Sequence, residues 1–296
     1  MLDFKSPSLN DSEWVKQILS LCGGPGSEDT FSSIFVWQDA FNTKILKYGD
    51  FLLKFYEDFE EKIYGFPVGR GDLAEIVNIL IKDAGERNIP FVFGGITENK
   101  VKFLNEIMPD KFNFIEERDR EDYIYNSENL INLKGKKYHS KRNHISKFNR
   151  LYKWSYEDIS DNNTSACKEF IEKWFSENLA LKRSDMSLEK KALERAFSNY
   201  NELELVGGVI YIDGQIVALT MGEKINDEIF DVHFEKALLE YNGLYAAINN
   251  EFAKRRLYSY HYINREEDMG IPGLRKVKSS YHPVVLLKRY RAEYKN

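Results

Sequence analysis

Apolar positions along the chain alternate between two periods, and the changes of period mark its elements. In the first 42 residues Trp14, Ile18 and Leu21 recur at helical spacing, Cys22-Gly23-Gly24-Pro25-Gly26 breaks the pattern, and a second amphipathic piece runs through Phe35 and Ala40. Short runs rich in β-branched and aromatic residues follow at Ile45 to Tyr48, Phe51 to Tyr56 and Lys62 to Phe66, and these predict strands. Asp72, with Glu75 three residues on, opens a helix that runs to about Arg87, after which Phe91-Val92-Phe93 reads as a buried strand.

The second half repeats this order after a longer helical section. Helices are predicted over Lys137 to Tyr152, Ser165 to Leu181 and Ser187 to Tyr200. Val206 to Ile212 and Gln215 to Glu223 form a hairpin about Asp213-Gly214, a dipeptide suited to positive φ at both turn positions. Glu228 to Glu235 is a third strand, Leu244 to Arg256 a helix with Leu244, Ala247, Ile248 and Phe252 on one face, and Tyr258 to Ile263 a strand. A strand, helix, strand crossover places its two strands parallel in one sheet. The repeated order predicts an α/β (α+β) protein of two tandem acetyltransferase-like domains, 1–130 and 131–296, each a mixed central sheet flanked by helices.

Composition narrows the setting. The first residues lack the basic segment and apolar stretch of a secretory signal, and no apolar run approaches the ~18 residues of a membrane span. Cys22 and Cys167 stand far apart, without partners at metal-ligand spacing. The expectation is a cytoplasmic protein without a metal. The net charge of -5 hides an asymmetry: Lys134 to Lys153 holds eight Lys or Arg and no acid, and Ile271 to Asn296 holds seven against Glu293 alone. Two basic segments in an otherwise acidic chain point to an anionic ligand.

Three segments carry candidate chemistry. In the helix over Lys136 to Arg150, Tyr138, Ile145, Phe148 and Tyr152 share one side, so the basic residues project from the other, where Arg142, Asn143 and Lys147 are candidate phosphate contacts. His233 and Glu235 alternate about Phe234 at a strand end, and either is a candidate general base. The turn into the next helix, Asn242-Gly243-Leu244-Tyr245, with Lys236 before it, is the candidate cofactor loop, because a helix N-terminus favours phosphate. The polar stretch from Asn264 to Pro283 reads as the wall of a site. Asn264, Arg265, Glu266, Asp268, Arg275 and Lys278 are its candidate substrate contacts, and Tyr281 is a candidate acid for the leaving group. No serine-hydrolase elbow, phosphate loop or H-E-x-x-H metal motif is present.

Lys137 to Ile145, His233 to Ala237 and Asn264 to Lys276 together resemble the phosphatidylglycerol lysyltransferase carboxy-terminal-domain family. The resemblance implies a tandem GNAT-like fold related to transferases that move an aminoacyl group from charged tRNA to a lipid hydroxyl or a peptidoglycan amine. It makes aminoacyl-tRNA or acyl-CoA the candidate donor, and tRNA, CoA or a phospholipid headgroup the candidate anionic partner. Coenzyme A enzymes of this fold carry Gln or Arg, two residues, Gly, one residue, and Gly or Ala. Here the stretch is Glu240 to Tyr245, with an acid at its start and a bulky ring where a backbone must approach pyrophosphate. The function expected is acyl or aminoacyl transfer to an amine or hydroxyl. The alternatives are an inactive GNAT-like module that binds an anion or RNA, and a structural partner protein.

Overall fold

The computed structural model describes residues 1–57, 61–178 and 186–295. Their contacts divide the chain into two compact units, one of Met1–Asp122, Glu267–Arg275 and Leu286–Asn296, the other of Tyr123–Glu266 and Lys276–Val285. The division is not into the consecutive spans 1–130 and 131–296, because short stretches near the carboxyl terminus return to the first unit.

The first unit holds helices α1 (Ser12–Cys22), α2 (Phe31–Val36), α3 (Gln38–Phe41), α4 (Leu73–Arg87) and α5 (Glu98–Ile107). Its strands are β1 (Lys44–Tyr48), β2 (Phe51–Glu57), β3 (Lys62–Tyr64), β4 (Val68–Gly69), β5 (Val92–Ile96) and β6 (Phe112–Glu116). Asp72 caps α4 by accepting the Glu75 N–H at 2.9 Å, and β3 and β5, on either side of that helix, are parallel, as the crossover demands. In α1 the buried residues are Val15 and Leu19, one step round from the predicted stripe, and Leu21 is exposed. An aromatic core of Phe55, Tyr64, Phe91, Phe93 and Phe112 sits between sheet and helices. Tyr64 is tolerated there because its hydroxyl donates to Asp83 at 2.7 Å.

The later elements are β7 (Asp122–Asn126), α6 (Ser127–Asn132), α7 (His139–Leu151), β8 (Trp154–Asp158), α8 (Thr164–Asn178), α9 (Met186–Ser198), β9 (Val206–Ile212), β10 (Gln215–Lys224), β11 (Ile229–Ala237), α10 (Leu244–Arg256), β12 (Tyr262–Asn264), α11 (Pro272–Ser279), β13 (Val285–Leu287) and β14 (Tyr290–Tyr294). The predicted end of the helix before α9, Leu179 to Leu181, lies outside the described residues. The turn between β9 and β10 has positive φ at both Asp213 and Gly214, as its dipeptide predicts.

Sheet order explains the interleaved chain. The first sheet runs β1-β2-β3-β5-β14-β6, with β4 also on β2, and the second runs β13-β7-β12-β11-β10-β9-β8. The last strand, β14, thus lies antiparallel between β5 and β6, while β7 lies antiparallel on β12. The first sheet thus takes in β14 from the carboxyl-terminal end, while β7 opens the second unit's own segment.

What positions the site is the way β11 and β12 part. They pair in parallel over Ile229↔Tyr262, Phe230↔Ile263 and Asp231↔Asn264 only. Beyond that point β11 continues on β10 to Ala237, whereas β12 ends at Asn264 and the chain turns through Glu266, whose φ is +55°. Among the described residues, Val232 to Ala237 have no ladder partner on that side.

Candidate active site

Glu235 stands on this stretch of β11, and both of its oxygens are engaged. Oε1 takes a hydrogen bond from Nη2 of Arg265 at 3.0 Å, and Oε2 takes one from Nδ2 of Asn249 at 3.2 Å. Arg265 comes from the turn after β12 and Asn249 from α10, so three elements converge on one carboxylate. Arg265 and Asn249 are more than nine-tenths buried, yet among the described residues Nη1 of Arg265 and Oδ1 of Asn249 have no hydrogen-bond partner. Buried donors and acceptors are ordinarily satisfied, so the unspent pair is a candidate contact for a polar ligand group.

Tyr281 and Lys141 complete the surround. The Tyr281 ring, 4% exposed, carries the Lys141 ammonium 3.8 Å from its centroid and the Arg265 guanidinium at 5.0 Å. Burial pushes the Tyr281 phenol up to about 12, so it is a weaker proton donor than a free tyrosine. Burial, with Arg265 adding to it, pushes Lys141 down to about 8 against the pull of Glu235.

His233 shares a strand face with Glu235 but meets different neighbours. Its Nδ1 lies 2.9 Å from Glu266 Oε1 and 3.4 Å from Asp231 Oδ2, and its Nε2 lies 2.9 Å from Glu223 Oε1, with the ring 1% exposed. Burial opposes a charged ring, but Asp231, then Glu223 and Glu266, outweigh it and hold the imidazole pKa well above its usual value. An imidazolium that spends both N–H groups on carboxylates cannot accept a proton from a nucleophile. Asp231, His233 and Glu266 bring ligand-type atoms within 4.8 Å of one another, but they could hold a metal only after the ring gave up its Nδ1 proton.

The remaining candidates fall into separate groups. Lys236 pairs with Glu189 at 2.6 Å, with its ammonium over the Trp174 ring. Lys278 is buried, and its Nζ donates to the carbonyls of Arg265 at 2.5 Å and Glu266 at 3.1 Å, so it fixes the turn that delivers Arg265. Asn264 serves the same turn by accepting the Glu266 N–H at 2.8 Å. Arg275 belongs to the first unit, where it forks onto buried Asp268 at 2.7 and 2.8 Å and meets Asp119 at 2.6 Å. Arg142 is spent on the carbonyls of Leu133 and Gly135, which follow α6. Asn143 is exposed and contacts His139, and Lys147 is exposed.

The candidate cofactor loop is crowded on one side. Gly243 has φ +88°, and a Cβ there would meet the His144 carbonyl oxygen of α7 at 2.3 Å. Leu244 is buried in the core, Asn242 is exposed, and its N–H reaches the Tyr152 hydroxyl at 3.4 Å. The glycine here admits a neighbouring helix. Gly243→Ala is accordingly expected to cost about 1–3 kcal/mol through the contact and the strained φ. Thermal unfolding checks this, and an unchanged midpoint would refute it.

Lys141, Asn249 and Glu223 were not anticipated as site residues. Lys141 stands three residues after Tyr138 and four before Ile145, on the inward stripe of α7. Asn249 follows Tyr245 by four along α10. Both spacings were visible, but each residue's polarity argued for the outer face.

Two sheets, each with a parallel strand-helix-strand step, give the chain a tandem GNAT-like fold. The chain belongs to the phosphatidylglycerol lysyltransferase C-terminal family, whose profile matches residues 21–293. A conserved protein of unknown function from Bacteroides thetaiotaomicron is similar at 38% identity over 100% of both chains, with a TM-score of 0.95. The L-PGS structure from Bacillus licheniformis shares the fold at 16% identity over 97% of this chain and 92% of that one, TM-score 0.70. FemX shares it at 9% identity over 100% and 98%, TM-score 0.62. No curated protein matches the sequence. No described helix is long and apolar enough to cross a membrane.

Proposed function

We propose that the protein transfers an aminoacyl group from an activated ester, aminoacyl-tRNA ahead of acyl-CoA, to an amine or hydroxyl in the cytoplasm. The observation that carries this reading is the convergence of Glu235, Arg265 and Asn249 at the parting strands, with a buried donor and a buried acceptor left unspent. Glu235 takes the proton of the attacking group, the new bond forms at the carbonyl carbon, and the ester C–O bond breaks as Glu235 returns that proton to the leaving oxygen. Arg265 and Asn249 orient the carboxylate, and the space between the parting strands holds donor and acceptor in contact. His233, placed among the candidate bases by its position on the strand, acts as a buried counterion. The His144 carbonyl pressed against Gly243 disfavours a pyrophosphate at that loop, which ranks tRNA above coenzyme A.

The test is incubation of the purified chain with radiolabelled total aminoacyl-tRNA, and in parallel with labelled acetyl-CoA, against a panel of amine and hydroxyl acceptors that includes phosphatidylglycerol vesicles. Label is expected to leave tRNA for an acceptor and to stay on coenzyme A. Transfer from acetyl-CoA alone would overturn the donor assignment, and no transfer from either would favour a binding module.

A further inference from the structure

Nδ1 of His233 is approached by more oxygen than one proton can serve. Glu266 Oε1 lies 2.9 Å away and Asp231 Oδ2 3.4 Å away, while a protonated Nδ1 has a single N–H to give. The three atoms come from two elements. Asp231 and His233 stand two apart on β11 and share a face, and Glu266 is carried in by the turn after β12, where its φ is +55°. All three ligand-type atoms lie within 4.8 Å of one another, so one small ion can reach them together. The spacing suits an ion: bonds of about 2.0–2.2 Å to imidazole and carboxylate set neighbouring ligand atoms about 3–3.5 Å apart in tetrahedral or octahedral geometry. On the far side of the ring, Nε2 lies 2.9 Å from Glu223 Oε1 on β10. A carboxylate there holds a proton on Nε2 and leaves Nδ1 facing the other two acids, the arrangement that supports metal-bound imidazoles.

We propose that Asp231 Oδ2, His233 Nδ1 and Glu266 Oε1 form a site for one divalent first-row transition ion, Zn²⁺ ahead of Mn²⁺. Binding is an exchange: the cation takes the Nδ1 lone pair, and the proton displaced from that nitrogen leaves to water. Imidazole favours such ions over Ca²⁺ and Mg²⁺, which prefer oxygen ligands, and zinc binds N and O donors more tightly than manganese. Asp231 and His233 are buried on a paired strand, whereas the Glu266 side chain is 19% exposed. The ion therefore enters beside Glu266, and that carboxylate makes the adjustment from hydrogen bond to metal bond. Glu266 follows Arg265 in the chain, so a bound ion pins the turn that aims Arg265 at Glu235. The site needs no transfer reaction and stands apart from that reading.

In the test the full chain is stripped with a chelator and dialysed to equilibrium against Zn²⁺, and bound metal is counted by mass spectrometry. Wild type is expected to hold one zinc per chain and to unfold at a higher temperature with it than without it. Asp231→Asn and Glu266→Gln, which keep shape but weaken the donors, should each raise the Kd about 100-fold, and Glu223→Gln, which touches only the far nitrogen, about tenfold. Glu266→Gln leaves β11 untouched, so it decides the matter even where Asp231→Asn fails to fold. His261→Ala, which breaks the exposed pair of His261 with Glu228, should keep the zinc. Imidazole nitrogen spectra should place the ion on Nδ1 of His233 with Nε2 still protonated, and excess Ca²⁺ should not displace it. A wild type that holds no zinc, wild-type affinity in folded Asp231→Asn or in Glu266→Gln, loss of zinc in His261→Ala, an unaltered Nδ1 signal, or displacement by Ca²⁺ would overturn the site. None of these readouts involves turnover, so the site and the transfer reading fail separately.

Discussion

His233→Gln is expected to lower the unfolding free energy by about 3–5 kcal/mol near neutral pH, the range found when one partner of a buried charge network is removed. Glu223 and Asp231 face each other across β10 and β11 by strand register, and Glu266 reaches the same ring from the turn after β12. Without the imidazolium, Glu223, Asp231 and Glu266 would lose the cation that they share. The pH dependence follows from the direction of the shift. The folded ring's pKa is raised, so its contribution is complete below the unfolded value of about 6.5 and drains by about 1.4 kcal/mol per unit as pH climbs toward the raised folded value. The gap between wild type and variant in urea titrations should therefore be widest below pH 6.5 and narrow steadily above it. Two pH curves that run parallel would show that the ring is neutral in the folded protein.

The element order was legible because it rests on local signals. The Asp213-Gly214 turn, the Asp72 cap and the apolar face of α10 each depend on a few neighbouring residues, and the crossover rule then forces parallel pairing. The return of β14 to the first sheet was not legible, because Tyr290 to Tyr294 carry no mark of the sheet they enter; only pairing with β5 and β6 decides it. The site divides the same way. Alternation placed His233 and Glu235 on one face, but the choice between base and counterion depended on Glu223 and Glu266, at positions 223 and 266, which alternation on one strand cannot reveal. Arg275 and Lys278, three apart on α11, looked equivalent, and the fold assigns one to buried Asp268 and the other to backbone carbonyls.

Glu235→Gln should separate chemistry from architecture. If Glu235 accepts the nucleophile's proton, the amide removes the basic oxygen while keeping volume and one hydrogen bond, and the transfer rate should fall by about 10²–10⁴-fold. The substitution also leaves Arg265 without an anionic partner, so some loss of stability, about 1–3 kcal/mol, accompanies it. That loss alone could slow an enzyme, which makes the double variant Glu235→Gln, Arg265→Gln the informative companion. Two facing amides can bond to each other, so the double variant should regain stability relative to the single one while transfer stays lost. Both variants are read by single-turnover transfer from labelled aminoacyl-tRNA, with thermal unfolding alongside. Transfer in Glu235→Gln within threefold of wild type would remove the residue from proton transfer and leave it as the strut that aims Arg265. Recovery of both stability and transfer in the double variant would show that the charge of the pair, and not the carboxylate's basicity, had been limiting.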